Sequence, residues 1–399
     1  MIIGIPKETL TGESRVAMTP DNVQQLCGRG CQVLIQSGAG EAADYADAAY
    51  RTSGAEILLD RDEIFARAQV ITQVNVSANE AGEQHCRLRR GQLVIGLMDP
   101  LGNPEQARSL AERHITSVAM ELVPRISRAQ SMDALSSMAT IAGYKAVLMG
   151  ANASGRIFPM LMTAAGTLTP SRVFIMGVGV AGLQAAATAK RLGAVVEAYD
   201  VRPAAREQIL SVGAKPIELD LNADATEGTG GYAKAQGEDF LTRQRELMTE
   251  VLAQQDIVIT TAAIPGAKSP ILITKEMVAS MKPGAVIIDL AAERGGNCEL
   301  TRCGETVVEH GVIIIGPDNL AATVPNHASQ MYGKNIENLL NHLIDDAGAL
   351  NLDFDDEIIQ ETVMTNDGIV CHGRIRSLLK LPELVLTELE NTENIQEVA

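Results

Sequence analysis

The chain has 399 residues and a formal net charge of −17, which argues against nucleic acid or an anionic membrane surface as a partner, since both select basic patches. Its residues are 46% apolar but only 3% aromatic, so two or three domains can bury a large core packed by small and branched side chains. The six cysteines form no Cys-x-x-Cys pair and no zinc spacing, no signal segment opens the chain, and no apolar run reaches the roughly 18 residues of a membrane span, so a reduced cytoplasmic protein is expected.

Taken in order, short apolar runs recur at Ile2–Ile5, Val33–Ile35, Ile57–Leu59, Val70–Val74, Leu93–Leu97 and Ile115–Ala119. Helical patterns lie between most of them, at Asp21–Arg29, Asp44–Ser53, Asp62–Ala68 and Pro104–Arg113. Strands alternating with helices predict a parallel sheet covered on both faces. No glycine fingerprint follows any of these strands. Thr19 and Pro20 read as the N-cap and first position of a helix. The segment Val123–Asp133 reads as a polar loop, and a long helix is predicted over Ala134–Asn152, capped by Ser131 or Asp133. Ile157–Arg172, with Pro159, Gly166 and Pro170, reads as a hairpin.

The next stretch carries the chemistry. Val173–Met176 is a short buried-strand pattern that stops at Gly177-Val178-Gly179-Val180-Ala181-Gly182. A helical pattern runs from Leu183 to Leu192, and a second apolar run, Ala194–Tyr199, ends on Asp200. Strand, glycine turn, helix, strand and acid form the dinucleotide-binding fingerprint in its structural context. Gly177 permits the tight turn, Gly179 leaves the backbone open to a pyrophosphate, and Gly182 lets helix and strand pack closely. The pyrophosphate would sit on the helix N-terminus. Asp200 would accept hydrogen bonds from the adenosine ribose and repel a 2′-phosphate, favouring NAD(H), while nearby Arg202 weakens that preference.

Beyond Asp200 a helix is expected at Ala204–Val212 and a strand at Pro216–Leu219. Asn222–Asp239 is glycine-rich and aperiodic, and reads as a lid over the cofactor with Tyr232 closing it. Strands follow at Asp256–Thr261, Val286–Leu290 and Val312–Gly316, giving a predicted sheet order of 3-2-1-4-5-6. A helix over Ser329–Ile344 returns to the first domain, and strands are expected around Ile358–Met364 and Ile369–Cys371. The fold class is therefore α/β, with two doubly wound parallel-sheet, Rossmann-like domains joined by long helices. Residues 1–133 plus 326–399 make the first domain and residues 134–325 the NAD(H)-binding one. None of the six histidines sits at the carboxyl end of a strand in the first third of the chain, and no metal spacing, nucleophile elbow or Walker loop is present. A cofactor cradle without an acid/base partner points to a nicotinamide held for a partner protein.

The chain resembles the soluble NAD(H)-binding component, domain I, of proton-translocating nicotinamide nucleotide transhydrogenase. The motifs are Pro124–Asp133, Gly177–Leu183, Gly230–Lys234, Thr260–Gly266 and Gly295–Cys298. The resemblance implies that Arg125, Gln130 and Asp133 position the nicotinamide against NADP(H) held by another domain. It further implies that Ser136 meets the carboxamide end, Val180 and Asp200 face the adenosine, Thr261 and Ala262 the nicotinamide side, and that Tyr232 belongs to a mobile lid. The implied partners are an NADP(H)-binding subunit and a membrane proton-channel subunit, both on separate chains, with a homodimer peripheral on the inner membrane. Two other readings are weighed. Alanine dehydrogenase shares the plan and the opening that includes Arg15, which there grips a carboxylate, but needs a lysine where this chain has Gln73 and a histidine that does not follow Leu97. A non-catalytic NADH-binding sensor would work by lid closure.

Overall fold

Every apolar run of the first third becomes a strand in the computed structural model, which describes residues 1–76, 87–218, 238–345 and 348–384. The strands are β1 (Ile2–Ile5), β2 (Gln32–Gln36), β3 (Glu56–Leu58), β4 (Val70–Asn75), β5 (Leu93–Leu97) and β6 (Thr116–Ala119). All pair in parallel. Late in the chain, β16 (Val363–Asn366) and β17 (Ile369–Val370) join the same sheet. The order is β17-β16-β6-β5-β4-β1-β2-β3, with β16 antiparallel to both neighbours. Ile64, Phe65, Ile71, Val94, Leu110 and Met364 belong to the core beneath it. The helix Pro20–Gly28 starts on proline as expected, and the Thr19 amide and hydroxyl both donate to Asn22 Oδ1 at 2.9 and 2.8 Å.

The second sheet is built from β9 (Arg172–Met176), β10 (Val195–Tyr199), β11 (Lys215–Pro216), β12 (Ile257–Thr260), β13 (Val286–Asp289), β14 (Thr306–Glu309) and β15 (Val312–Ile315). Its order is β11-β10-β9-β12-β13-β15-β14. In the parallel strands this is the doubly wound 3-2-1-4-5-6 order predicted from the sequence. The edge strand β14 is antiparallel to β15 and was not anticipated. None of its residues is buried, so no apolar alternation marks it. Before this sheet, β7 (Leu161–Thr163) and β8 (Gly166–Leu168) form the expected hairpin, with every residue of both strands exposed.

Contacts divide the chain into two compact units, Met1–Met138 with Ala322–Ala399, and Ala139–Ala321. The first division falls inside the helix Ala134–Ala153. In the second unit this helix approaches the helix Val180–Arg191 so closely that a Cβ on Gly143 would lie 2.1 Å from the Ala181 carbonyl oxygen.

Two expectations change. Residues Glu357–Thr362 form a helix, and the strand begins only at Val363. Asp356 supplies the reason: its side chain caps the helix through the Ile358 amide, leaving Ile358, Ile359 and Thr362 buried at helical spacing. The return helix begins at Pro325 rather than Ser329, because proline lacks the N–H that a first helical turn leaves unpaired. Among the described residues no helix is long and apolar enough to cross a membrane, and no group of histidine, cysteine or carboxylate side chains could hold a metal ion.

Candidate functional site

The turn after β9 is built as its glycines require. Gly177 adopts φ +94°, a conformation that side chains disfavour. A Cβ on Gly182 would stand 2.0 Å from the Gly177 carbonyl oxygen, so any other residue would separate helix from strand. Gly179 is the N-cap of Val180–Arg191, and a Cβ there would meet nothing within 4 Å among the described residues. Open ground above a helix N-terminus with unpaired first-turn amides fits a pyrophosphate.

Asp200 ends β10 beside this turn. Its Oδ2 accepts from the Val178 amide at 2.7 Å and from Arg202 Nη2 at 3.0 Å. Its Oδ1 accepts from the Arg202 amide and Nε, both at 2.9 Å. Arg202 also donates to the Val178 carbonyl at 3.2 Å. The acid and the arginine therefore clip both faces of the Val178 residue and hold the glycine turn in shape.

The opposite rim follows β12. The Thr261 hydroxyl donates to the Gly177 carbonyl at 2.9 Å, tying the two loops together. Asn297 takes the Ala262 amide on its Oδ1 at 2.9 Å and returns Nδ2 to the Ala262 carbonyl at 2.8 Å. Behind it lies Asp289, fully buried. Asp289 Oδ2 accepts from the amides of Asn297 and Cys298 and from the Thr301 hydroxyl at 2.8, 3.0 and 2.7 Å. Its Oδ1 accepts from the Thr260 hydroxyl and the Ala291 amide at 2.9 and 3.0 Å. A carboxylate is buried only when its oxygens are satisfied in this way. Gly296 is forced by the same contact, since its Cβ would lie 2.8 Å from Asp289 Oδ2. From sequence, Asp289 only opens a strand end facing the nicotinamide side and Asn297 lies in the Gly295–Cys298 motif, with no role of its own for either side chain. Their signal was a strand ending in a polar residue followed by a Gly-Gly-Asn turn.

In the other unit, Ser127–Met132 form a 3-10 turn that buries Ala129 and Met132 and leaves Gln130 exposed. Asp133 caps the following helix, its Oδ1 taking the Ser136 amide at 2.8 Å and its Oδ2 the Ser136 hydroxyl at 2.5 Å. Arg125 Nε lies 3.9 Å from Asp133 Oδ2. Arg125, Asp133 and Ser136 thus form one cluster, with Gln130 on the adjoining turn. Gly177, Gly179, Val180, Gly182, Asp200, Thr261 and Ala262 sit around the second sheet. Tyr232 lies outside the described residues.

The carboxyl ends of the first sheet hold a buried polar cluster. Arg15 is gripped by Glu13 through Nε at 2.7 Å and Nη2 at 2.6 Å, and Asn75 donates to the same Glu13 carboxylate at 2.9 Å. Tyr332 donates to the Gln73 carbonyl at 2.9 Å, and the Gln73 amide nitrogen is buried with no hydrogen-bond partner among the described residues. Glu8 accepts from the amides of Val74 and Asn75, yet burial pushes its carboxyl up from 4.5 to about 7. Burial likewise pushes Glu121 up to about 7, although the Met98 and Asp99 amides donate to it.

Residues 4–142 match the family described as alanine dehydrogenase/PNT, N-terminal domain, and residues 146–373 match its C-terminal domain. An NAD(P) transhydrogenase alpha-subunit chain of Rhodospirillum rubrum is 47% identical over 376 residues, covering 93% of this chain and 98% of that protein. The crystal structure of transhydrogenase from Sinorhizobium meliloti is similar at a TM-score of 0.80 and 41% identity, over 93% of this chain and 99% of that one. The alanine dehydrogenase of Bacillus subtilis is more distant, 31% identical over 335 residues, or 82% of this chain and 81% of that protein.

Proposed function

This chain belongs to the alanine dehydrogenase/PNT family, with transhydrogenase alpha subunits as its close relatives, and from that premise we propose that it is the NAD(H)-binding subunit of a proton-translocating transhydrogenase. It presents NADH for direct hydride transfer to NADP+ held on a partner chain. Gly177, Gly179, Val180 and Gly182 receive the dinucleotide, Asp200 selects an unphosphorylated ribose, and Thr261 and Ala262 serve the nicotinamide side. Arg125, Gln130, Asp133 and Ser136 serve the transfer step. NADH, when bound, supplies the hydride. Neither ring gains or loses a proton in such an exchange, so the protein needs to orient and exclude water rather than do acid–base work.

The observation that carries this reading is the buried Glu13–Arg15 pair. An amino-acid dehydrogenase of this plan would use Arg15 for a substrate carboxylate. Here the guanidinium already holds a carboxylate from its own chain at 2.6 Å. In this reading the partners are an NADP(H)-binding subunit and a membrane proton-channel subunit, and the chain works as a homodimer on the cytoplasmic face of the inner membrane.

Reconstitution tests it. The chain is expected to change NADH fluorescence and, mixed with an NADP(H)-binding partner, to pass hydride between the two nucleotides. NADH oxidation driven by pyruvate and ammonia would establish alanine dehydrogenase instead. NADH binding with no hydride transfer in the mixture would leave a sensor.

A further inference from the structure

Arg128 stands on the exposed side of the Ser127–Met132 turn, between Arg125 and Gln130. Its guanidinium reaches Asp356, 228 residues further along, by two hydrogen bonds of 3.1 Å, Nη1 to Oδ2 and Nη2 to Oδ1. Asp356 is well placed to hold it. Its side chain is only 18% exposed. Its Oδ1 caps the helix Glu357–Thr362 through the Ile358 amide at 2.8 Å, and His342 Nε2 lies 3.2 Å from its Oδ2.

The same turn is held a second time. The Ser131 carbonyl accepts from Asn335 Nδ2 at 2.9 Å and Asn338 Nδ2 at 3.0 Å, both on the return helix Pro325–Leu343. The turn is therefore held from the C-terminal segment on either side of Gln130, by the Arg128 side chain and the Ser131 carbonyl. A two-point arginine–carboxylate pair sets orientation as well as distance. Ion pairs with one exposed partner add little to stability, so registration of the turn is the stronger reason for this one.

We propose that Arg128 and Asp356 are a positioning pair for hydride transfer, fixing the register of the Arg125–Asp133 loop, with Asn335 and Asn338 as the second support. The proposal rests on the reading that this loop serves the transfer step. It assigns the C-terminal segment a part in the reaction through the loop it holds.

The test uses the full chain mixed with an NADP(H)-binding partner. The variants are Asp356→Asn, Arg128→Gln, Arg128→Lys and, as a reference for the loop, Asp133→Asn. Asparagine still caps a helix, so Asp356→Asn removes the charge while keeping the cap. Asp356→Asn and Arg128→Gln should each slow single-turnover transfer by roughly 10-fold, since small displacements near a reacting pair are costly. Their affinity for NADH and their melting temperature should stay unchanged. Amide hydrogen exchange over residues 126–133 should quicken in both. The double variant should be no slower than either single one, because one contact is lost once. Arg128→Lys should fall between, keeping the charge without the fork. Full transfer rates in these variants, alongside a slow Asp133→Asn, would overturn the positioning pair alone. An unsubstituted chain that never transfers hydride in the mixture would overturn the functional reading and this proposal with it.

Discussion

Asp200 illustrates how much one side chain is asked to do. A carboxylate offers about four lone-pair positions, and four donors already point at its two oxygens, three of them from Arg202. A ribose hydroxyl that reaches Asp200 has to displace part of that fork. Arg202→Ala should therefore sharpen the preference for NADH over NADPH by roughly tenfold, about 1.4 kcal/mol, because the cation that tempers repulsion of a 2′-phosphate is gone. Fluorescence titration with both nucleotides measures the ratio, and an unchanged ratio would remove Arg202 from the selection. A second residue-scale effect concerns Glu8 and Glu121, both raised from 4.5 to about 7, chiefly by burial. Between these values the folded state holds more protons than the unfolded one. Their contribution to stability is full below about pH 4.5 and is lost as pH rises through about 7. The urea midpoint should accordingly fall between about pH 4.5 and pH 7. Glu121→Gln, which keeps an acceptor for the Met98 and Asp99 amides, should flatten that fall; an equally steep fall in the variant would rule Glu121 out as a source.

Among the elements, the contact between helices Ala134–Ala153 and Val180–Arg191 is the most exacting. Gly143→Ala would place a methyl 2.1 Å from the Ala181 carbonyl, and backbone cannot yield as a flexible side chain does. The expected cost is about 2 kcal/mol of stability, within the range for overpacking, together with weaker NADH binding as the first turn of the cradle helix shifts. Normal affinity at lowered stability would separate the packing from the cradle. The hairpin β7–β8 is the opposite case, an element with no shelter of its own. Met160, Met162 and Leu168 are 59%, 78% and 48% exposed, more apolar surface than a lone hairpin needs. If the proposed homodimer forms through this hairpin, deleting residues 160–168 should lower the mass to that of a monomer by light scattering, and an unchanged mass would reject the hairpin as the dimer contact. The elements also mark where periodicity failed. Ile358–Met364 reads as apolar for strand or helix alike, and only the Asp356 cap decides for the helix up to Thr362.

At the scale of the molecule, each unit has its own sheet and its own buried core. The cradle residues Gly177 to Asp200 belong to one of them. NADH should therefore raise the unfolding temperature by binding the native state, with slowed amide exchange concentrated in residues 177–200 and 260–262. NADPH at the same concentration should do so less. Equal protection by both nucleotides would contradict the role given to Asp200.

The cradle was legible because its rules are local: a glycine turn, a helix and a terminal acid all fall between Arg172 and Asp200, and each imposes a residue type on its neighbours. The order of the parallel strands followed from the same alternation, since right-handed crossovers leave few arrangements. By itself, then, the sequence determined most of the elements and the doubly wound plan, and it marked a glycine turn with the form of a dinucleotide cradle. The tertiary structure alone decided which polar groups meet. Asn297 holds Ala262 from 35 residues away, and Asp356 meets Arg128 from 228 residues away. Contacts at such separations depend on where the chain returns, and no periodicity or local spacing encodes the direction of a hydrogen bond across that distance.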